Sequence, residues 1–289
     1  MDRRSFVAAL SAAPFLGCFS RPMTVGRPGV QLYTVRDAMS GDVSGTLATL
    51  AEIGYLEVEM AGTYGMTPTS FRRLLDEFGL RAVSGHADFA EVRGDWQRTL
   101  DDAVELGHDM IVVPWLPEEV RTPDGYRAVA DDLNRAGEAA RRMGIRFGYH
   151  NHQFEFDPMD GVIPMALLLD ETDGSLVDWQ MDIYWVVDGG HEPLEWLDRY
   201  SARVTSVHIK DRSAQGAMVD VGDGVIDFER ILGAAAAHEV RHSFIEHDNP
   251  ADSLVTVRRS FDYLMHEFCL LYTSPSPRDR TRSRMPSSA

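Results

Sequence analysis

The stretch Tyr126–His152, YRAVADDLNRAGEAARRMGIRFGYHNH, contains one complete helix-to-strand unit, and it decides the fold. An amphipathic segment runs from Tyr126 to Met143, and Gly144 follows it, as is common where a helix ends in a left-handed residue. The β-prone run Arg146–His150 comes directly afterwards. The pattern predicts a helix that returns the chain to a parallel sheet.

The same order occurs twice upstream, in Phe71–Phe78 with Gly79 and in Asp95–Leu106 with Gly107. Eight apolar runs alternate with such segments along the chain, which favours a single-domain (β/α)8 TIM barrel over residues 22–268. An open doubly wound α/β sheet is the alternative. The predicted strands are Gly29–Val35, Tyr55–Met60, Arg81–His86, Met110–Pro114, Arg146–His150, Val177–Asp182, Val204–Lys210 and Ser243–Glu246.

Composition restricts the class of partner. The chain has 289 residues, 44% of them hydrophobic, and a formal net charge of -17. A nucleic-acid partner is not expected, because binding to phosphates needs a basic face. With only Cys18 and Cys269, neither a disulfide framework nor a thiolate metal site is expected.

The N-terminal residues 1–21 are predicted to be a signal peptide. Arg3 and Arg4 precede an apolar stretch, Phe6–Leu16, that is too short to span a bilayer. The pair resembles a twin-arginine export motif, and Cys18 follows a weak lipoprotein box that would allow a lipid anchor. We therefore expect an exported protein, periplasmic or membrane-anchored, with no transmembrane span in its mature form. If this segment is instead an N-terminal helix, the protein is cytoplasmic.

The C-terminal residues 269–289 change abruptly to a Ser, Pro and Arg-rich composition, which predicts disorder. Part of this segment, Cys269–Asp279, resembles a translated sequencing adaptor. We interpret it as an artefact and assign it no function.

Polar side chains collect where the predicted strands end, the place at which TIM barrels build active sites. Alternation along a strand puts His150 and His152 on one face, and His208 and Lys210 on one face. With Asp182 they form a mixed oxygen and nitrogen set, which suits one divalent ion such as Mn, Mg, Co, Zn or Fe(II). A single strand-end Asp or His more often caps a helix. Several together would be costly to bury without a cation.

Several motifs resemble the xylose isomerase-like TIM barrel family, which includes sugar phosphate isomerases/epimerases. The resemblance covers most of the region from Gly29 to Phe268. It rests on six stretches: GVQLYTVR at Gly29–Arg36, YHNHQFEF at Tyr149–Phe156, MDIYWVVDGG at Met181–Gly190, HIKD at His208–Asp211, VGDGVIDF at Val221–Phe228 and FIEHD at Phe244–Asp248.

The resemblance implies a metal ion held by Glu, Asp, His and Glu from strands five to eight. The last three correspond to Asp182, His208 and Glu246. Strand five departs from the family pattern, so the first ligand is either Glu155 or His150. Glu155 is favoured because a second carboxylate keeps the oxygen-rich shell.

The resemblance also implies proton abstraction next to a carbonyl of a small sugar through an enediolate. We expect catalytic roles for Glu155, Glu246, His152 and Lys210. Substrate contacts are expected from Gln31, Tyr33, His86, Trp115 and Trp185. The leading function is a sugar isomerase/epimerase. The alternatives are a lyase or hydratase acting on keto-sugars or keto-glycosides, and a non-catalytic sugar-binding barrel; a homo-oligomer is possible for any of them.

Overall fold

The computed structural model describes residues 26–238 and 240–269, and within them eight parallel strands close into a barrel. The ladder closes where β1 pairs with the last strand, Gly29 opposite Phe244. The (β/α)8 fold is thereby confirmed, and the open sheet is not formed. The barrel strands are β1 Gly29–Gln31, β2 Glu57–Met60, β3 Arg81–His86, β4 Met110–Val113, β5 Arg146–His150, β6 Asp178–Asp182, β7 Val204–Ile209 and β10 His242–Ile245.

Helices connect successive strands and cover the outside of the barrel. Trp96 packs edge-to-face on Phe147 of β5, and Trp196 packs on Trp179 of β6. No helix among the described residues is long and apolar enough to cross a membrane. The helices are α1 Arg36–Gly41, α2 Val43–Ile53, α3 Pro68–Phe78, α4 Phe89–Arg93, α5 Trp96–Leu106, α6 Pro123–Arg142, α7 Pro164–Glu171, α8 Ile183–Asp188, α9 Pro193–Tyr200, α10 Phe228–Ala237 and α11 Ser253–Leu264.

The three glycines predicted to end helices all have left-handed backbones, and Gly144, with φ 77°, follows the Met143 cap of α6. Gly79 follows α3 with φ 70°, and Gly107 follows α5 with φ 82°, both in the left-handed region that favours glycine. Each cap turns the chain directly into the next barrel strand. The helices therefore end where the sequence pattern predicts.

The first strand is shorter than predicted. Extended pairing stops at Gln31, and Leu32–Val35 form a 3-10 helix instead of continuing the strand. The Gln31 side chain accepts a hydrogen bond from the backbone N–H of Tyr33 at 3.0 Å, which caps the new turn. This local cap competes successfully with the β preference of the sequence LYTV.

A short antiparallel ribbon follows β7, formed by β8 Asp211–Arg212 and β9 Met218–Val219. The buried Asp211 carboxylate holds the loop beyond it by accepting from the backbone N–H groups of Gly222, Gly224 and Ile226 at 2.9 to 3.3 Å. Glycine is required at 224 because a Cβ there would overlap Asp211 Oδ1. These contacts explain the VGDG stretch as loop architecture.

The predicted leader, including Cys18, lies outside the described residues, as do 22–25 and 270–289. At the C-terminal boundary, the backbone from Met265 to Cys269 forms a π-helical turn after α11.

Candidate metal centre

Four buried side chains converge at the carboxyl ends of the later strands: His150, Asp182, His208 and Glu246. One ligand atom from each lies within 4.8 Å of all the others. Strand register explains the meeting, because Asp182 stands opposite His208 in the ladder and Glu246 directly follows β10. Three of the four are the residues that the family resemblance assigns to strands six, seven and eight.

The two carboxylate oxygens of Asp182 have different partners. Its Oδ1 accepts from the backbone N–H of Trp185 at 2.9 Å and caps α8. Its Oδ2 is buried and forms no directed hydrogen bond with the described residues, but it pairs with the Lys210 ammonium at 3.1 Å, and His150 Nε2 lies 3.4 Å away. Burial raises the pKa of Asp182 to about 6, against the opposing charge of Lys210. A buried carboxylate oxygen that has an ammonium neighbour but no directed hydrogen bond, and that lies beside an imidazole and a second carboxylate, is a suitable ligand for a divalent cation.

His208 lies between two carboxylates. Its Nδ1 is 2.7 Å from Glu246 Oε2, and its Nε2 is 2.6 Å from Glu59 Oε2. Burial lowers the pKa of His208, but the Glu59 and Glu246 charges outweigh it and raise the value to about 10. The imidazole ring is therefore fixed at both nitrogens.

Lys210 places a buried ammonium group next to the four-residue cluster. Its Nζ lies 2.8 Å from Glu246 Oε2, 3.1 Å from Asp182 Oδ2 and 2.7 Å from Asp248 Oδ1. Burial opposes the charge, yet these three carboxylates raise the pKa of Lys210 well above its usual range. Lys210 therefore remains a cation, suited to stabilising negative charge on an oxygen rather than to accepting a proton.

Glu155 does not belong to this cluster of described side chains. Its carboxylate bonds to the Tyr149 hydroxyl and accepts from the backbone N–H of His152 at 2.7 Å. Tyr149 alternates with His150 along β5, so Glu155 lies on the outer side of the strand. Burial raises the pKa of Glu155 to about 8. Of the two candidates for the first ligand, His150 lies in the cluster, whereas Glu155 lies on the outer side of β5.

His152 lies at the barrel mouth between two tryptophans. Its ring is 4.7 Å from Trp115, 5.4 Å from Trp185 and 5.1 Å from His150. Burial, followed by the Lys210 charge, lowers the pKa of His152 well below its usual range. These rings form an aromatic wall beside the cluster.

Trp115 is 47% exposed, although its ring is firmly held. The Arg121 guanidinium lies 4.4 Å from the ring centroid, and Phe154 packs edge-to-face at 4.8 Å. An exposed but fixed indole can pack against a sugar ring at little entropic cost.

The remaining expected substrate contacts, Gln31, His86 and Tyr33, do not belong to the aromatic wall. Gln31 and His86 point into the barrel lumen, where both contact Glu59. Tyr33 lies on the rim, 44% exposed, with the Arg36 guanidinium 4.1 Å from its ring. Of these three, the rim residue Tyr33 is the most open to a ligand.

A second group of imidazoles, His86, His150 and His208, also lies close enough to hold an ion. Two of its nitrogens already share one amide acceptor, however. His86 Nε2 and His150 Nδ1 each lie 3.0 Å from Gln180 Oε1. This group is better explained as a hydrogen-bond network below the cluster containing Asp182.

The sequence pattern assigns no specific role to Glu59, Gln180 or Asp248, although Glu59 and Asp248 are among the polar residues at the predicted strand ends. Glu59 was recognisable only as a polar residue in an apolar strand, and its five polar contacts come from strands far apart in the chain. The burial of such a residue was the available signal, because a buried carboxylate requires partners.

Comparison with known proteins agrees with this architecture. The family described as xylose isomerase-like TIM barrel matches residues 47–263. Inosose dehydratase of Geobacillus kaustophilus is 27% identical over 227 residues, 64% of this chain and 73% of the relative. Inosose dehydratase of Bacillus thuringiensis is 28% identical over 163 residues, 49% of this chain and about half (54%) of that relative's length.

Among solved structures, a sugar phosphate isomerase/epimerase from Parabacteroides distasonis superposes with a TM-score of 0.74 and 27% identity, covering 88% of this chain and 99% of that one. Its fold is thus shared almost end to end. With the family match over residues 47–263, the chain belongs to the xylose isomerase-like TIM barrel family and is a sugar-processing enzyme of the isomerase, epimerase and dehydratase type.

Proposed function

We propose that the protein is a divalent-metal-dependent lyase that removes water from a keto-sugar or cyclic keto-polyol. The observation that carries this proposal is the convergence of four buried ligand atoms, one each from His150, Asp182, His208 and Glu246, within 4.8 Å of one another. These four side chains would hold the ion. When bound, a divalent ion supplies the Lewis acidity that acidifies a C–H next to a carbonyl.

The remaining side chains supply the charge and the proton transfer. Lys210, fixed by Glu246 and Asp182, places a positive charge beside an oxygen that becomes negative. His152 at the mouth accepts the proton from the carbon next to the carbonyl. It returns that proton to the hydroxyl on the adjacent carbon as the C–O bond breaks. One C–H and one C–O bond are replaced by a C=C bond and water.

The position of Glu155 favours elimination over epimerisation. Epimerisation requires proton donors and acceptors on both faces of the substrate carbon, and Glu155 and Glu246 are the two carboxylates for which catalytic roles were expected. Glu155 is engaged behind β5 by Tyr149 and the His152 backbone. Elimination on one face needs only one proton-transferring group, and His152 supplies it. The inosose dehydratase relatives support the same choice.

An isomerase/epimerase is the second candidate, favoured by the structural match to the Parabacteroides distasonis protein. Incubation of the Mn²⁺-loaded protein with an inosose and with 3-keto-glucose in deuterated water separates the two reactions. We expect mass spectrometry to show loss of one water. Interconversion of sugars with carbon-bound deuterium and no loss of water would instead favour the epimerase.

The Asp182→Ala variant is the control for this assay. It should reduce turnover by at least about a hundredfold, the usual size of a lost acid–base or metal contribution. Full turnover in Asp182→Ala would refute the assigned site.

A further inference from the structure

Glu59 is a fully buried carboxylate on the barrel axis, beneath the candidate metal centre. Strand register builds its surroundings, because Gln31 and Ser84 stand opposite Glu59 on the two neighbouring strands. Five polar side-chain atoms contact it: Gln31 Nε2 at 2.8 Å, Ser84 Oγ at 2.6 Å, Gln180 Nε2 at 2.7 Å, His208 Nε2 at 2.6 Å and His86 Nε2 at 3.1 Å.

The contact with His208 distinguishes Glu59 from a purely structural carboxylate. A carboxylate only accepts, so Nε2 of His208 must carry the proton of this hydrogen bond. The nitrogen on the other side of the ring, Nδ1, faces Glu246 and the cluster. A histidine that ligates a metal through one nitrogen commonly donates from the other to a carboxylate, which fixes both ring orientation and tautomer.

We infer that Glu59 is a positioning residue for the metal centre, which holds His208 so that Nδ1 is presented to a divalent cation. The inference rests on the proposed function, because it takes the four-residue cluster as the ion's site. Glu59 is itself held by Gln31, Ser84 and Gln180, so its carboxylate cannot turn away from His208 without losing these bonds.

The matched control is Glu57, two residues earlier on the same strand. Its carboxylate pairs with His242 Nδ1 at 2.8 Å at the amino-terminal end of the barrel, away from the cluster. Its side chain is 25% exposed, whereas that of Glu59 is fully buried. A Glu57→Gln change therefore removes a carboxylate from β2 without touching His208.

Calorimetric titration with Mn²⁺ tests the inference. Glu59→Gln should weaken Mn²⁺ binding about 10- to 100-fold, the usual effect of losing such a partner, and Glu57→Gln should leave it within about twofold. With Co²⁺, the visible absorption spectrum should change in Glu59→Gln and not in Glu57→Gln. Folded Glu59→Gln protein that binds Mn²⁺ like the wild type would overturn the inference.

Two further measurements keep the test decisive. The first is needed if Glu59→Gln fails to fold. Ser84→Ala removes one hydrogen bond to Glu59, and Ser84 itself does not contact His208, so this variant should weaken Mn²⁺ binding several-fold. Unchanged Mn²⁺ binding in Ser84→Ala would count against the inference.

The second applies if the wild type binds no Mn²⁺, in which case the proposed function fails. NMR of ¹⁵N-labelled histidine then decides the role of Glu59, since the His208 Nε2–H signal should be present in the wild type and altered in Ser84→Ala. An identical signal in both would overturn the positioning role.

Discussion

Nε2 of His150 lies 3.4 Å from Oδ2 of Asp182 at the carboxyl ends of neighbouring strands β5 and β6. Both residues are buried, and a cation between them would bind the imidazole nitrogen and the Asp182 oxygen, whose other charged neighbour is the Lys210 ammonium at 3.1 Å. We predict that His150→Ala weakens Mn²⁺ binding at least about tenfold, because one ligand is lost. His150→Glu, which restores the carboxylate of the family pattern, should bind more tightly than His150→Ala.

His242→Ala is the control for this pair, since it removes a histidine from the opposite end of the barrel, where it pairs with Glu57. Its Mn²⁺ affinity should match the wild type. Equal affinity for His150→Ala and the wild type would exclude His150 as a ligand.

Glu155 should act on stability rather than on metal binding. Burial raises its pKa from 4.5 to about 8, so between these values the folded protein keeps a proton that the unfolded chain has lost. Stability therefore falls as pH rises through this interval, by up to about 1.4 kcal/mol per pH unit. Glu155→Gln cannot ionise and should lack this slope.

Urea unfolding of both proteins between pH 5 and pH 8, compared as a difference, measures the effect. Parallel pH profiles would refute the assignment of a protonated Glu155. Mn²⁺ affinity should be similar in the two proteins, because the Glu155 carboxylate is engaged behind β5.

The fixed indole of Trp115 is expected to contribute to substrate binding. Trp115→Ala should raise KM about 3- to 10-fold, corresponding to a lost aromatic contact, while kcat changes less. Trp115→Phe keeps a ring in this place and should recover part of the loss. Steady-state kinetics decide the question, and an unchanged KM in Trp115→Ala would place the substrate elsewhere.

Asp211 holds the loop after the β8–β9 ribbon through three backbone N–H groups. Asp211→Ala leaves these donors without their acceptor and should lower the free energy of unfolding by about 1–3 kcal/mol. The neighbouring Asp223 pairs with Arg259 on the surface, and Asp223→Ala should cost less than about 1 kcal/mol. Similar urea midpoints for the two variants would contradict this account of the VGDG stretch.

The barrel could be predicted because its signals are local. A helix that ends at Gly79 or Gly107 and leads directly into an apolar run is visible within about twenty residues of sequence. The end of β1 was not visible in this way. Its early stop at Gln31 depends on a side chain that bonds to its own backbone rather than on the β preference of LYTV.

The meeting of Asp182 and His208 could be predicted because each lies at a strand end that coincides with a family motif, and their role as ligands stays a prediction. The choice between His150 and Glu155 was different, since both are suitable donors and only three-dimensional position separates them. Tyr149 draws Glu155 behind the strand, and that contact leaves no periodic signal. The role of Glu59 could not be predicted for a similar reason, because it depends on partners from several other strands.

The most direct test of the metal centre is a crystal structure of Mn²⁺-loaded protein with anomalous diffraction data. We predict a single strong anomalous peak within bonding distance of His150, Asp182, His208 and Glu246, with His208 coordinating through Nδ1 and Nε2 still bonded to Glu59. A peak at another set of residues, or none at saturating Mn²⁺, would contradict the account.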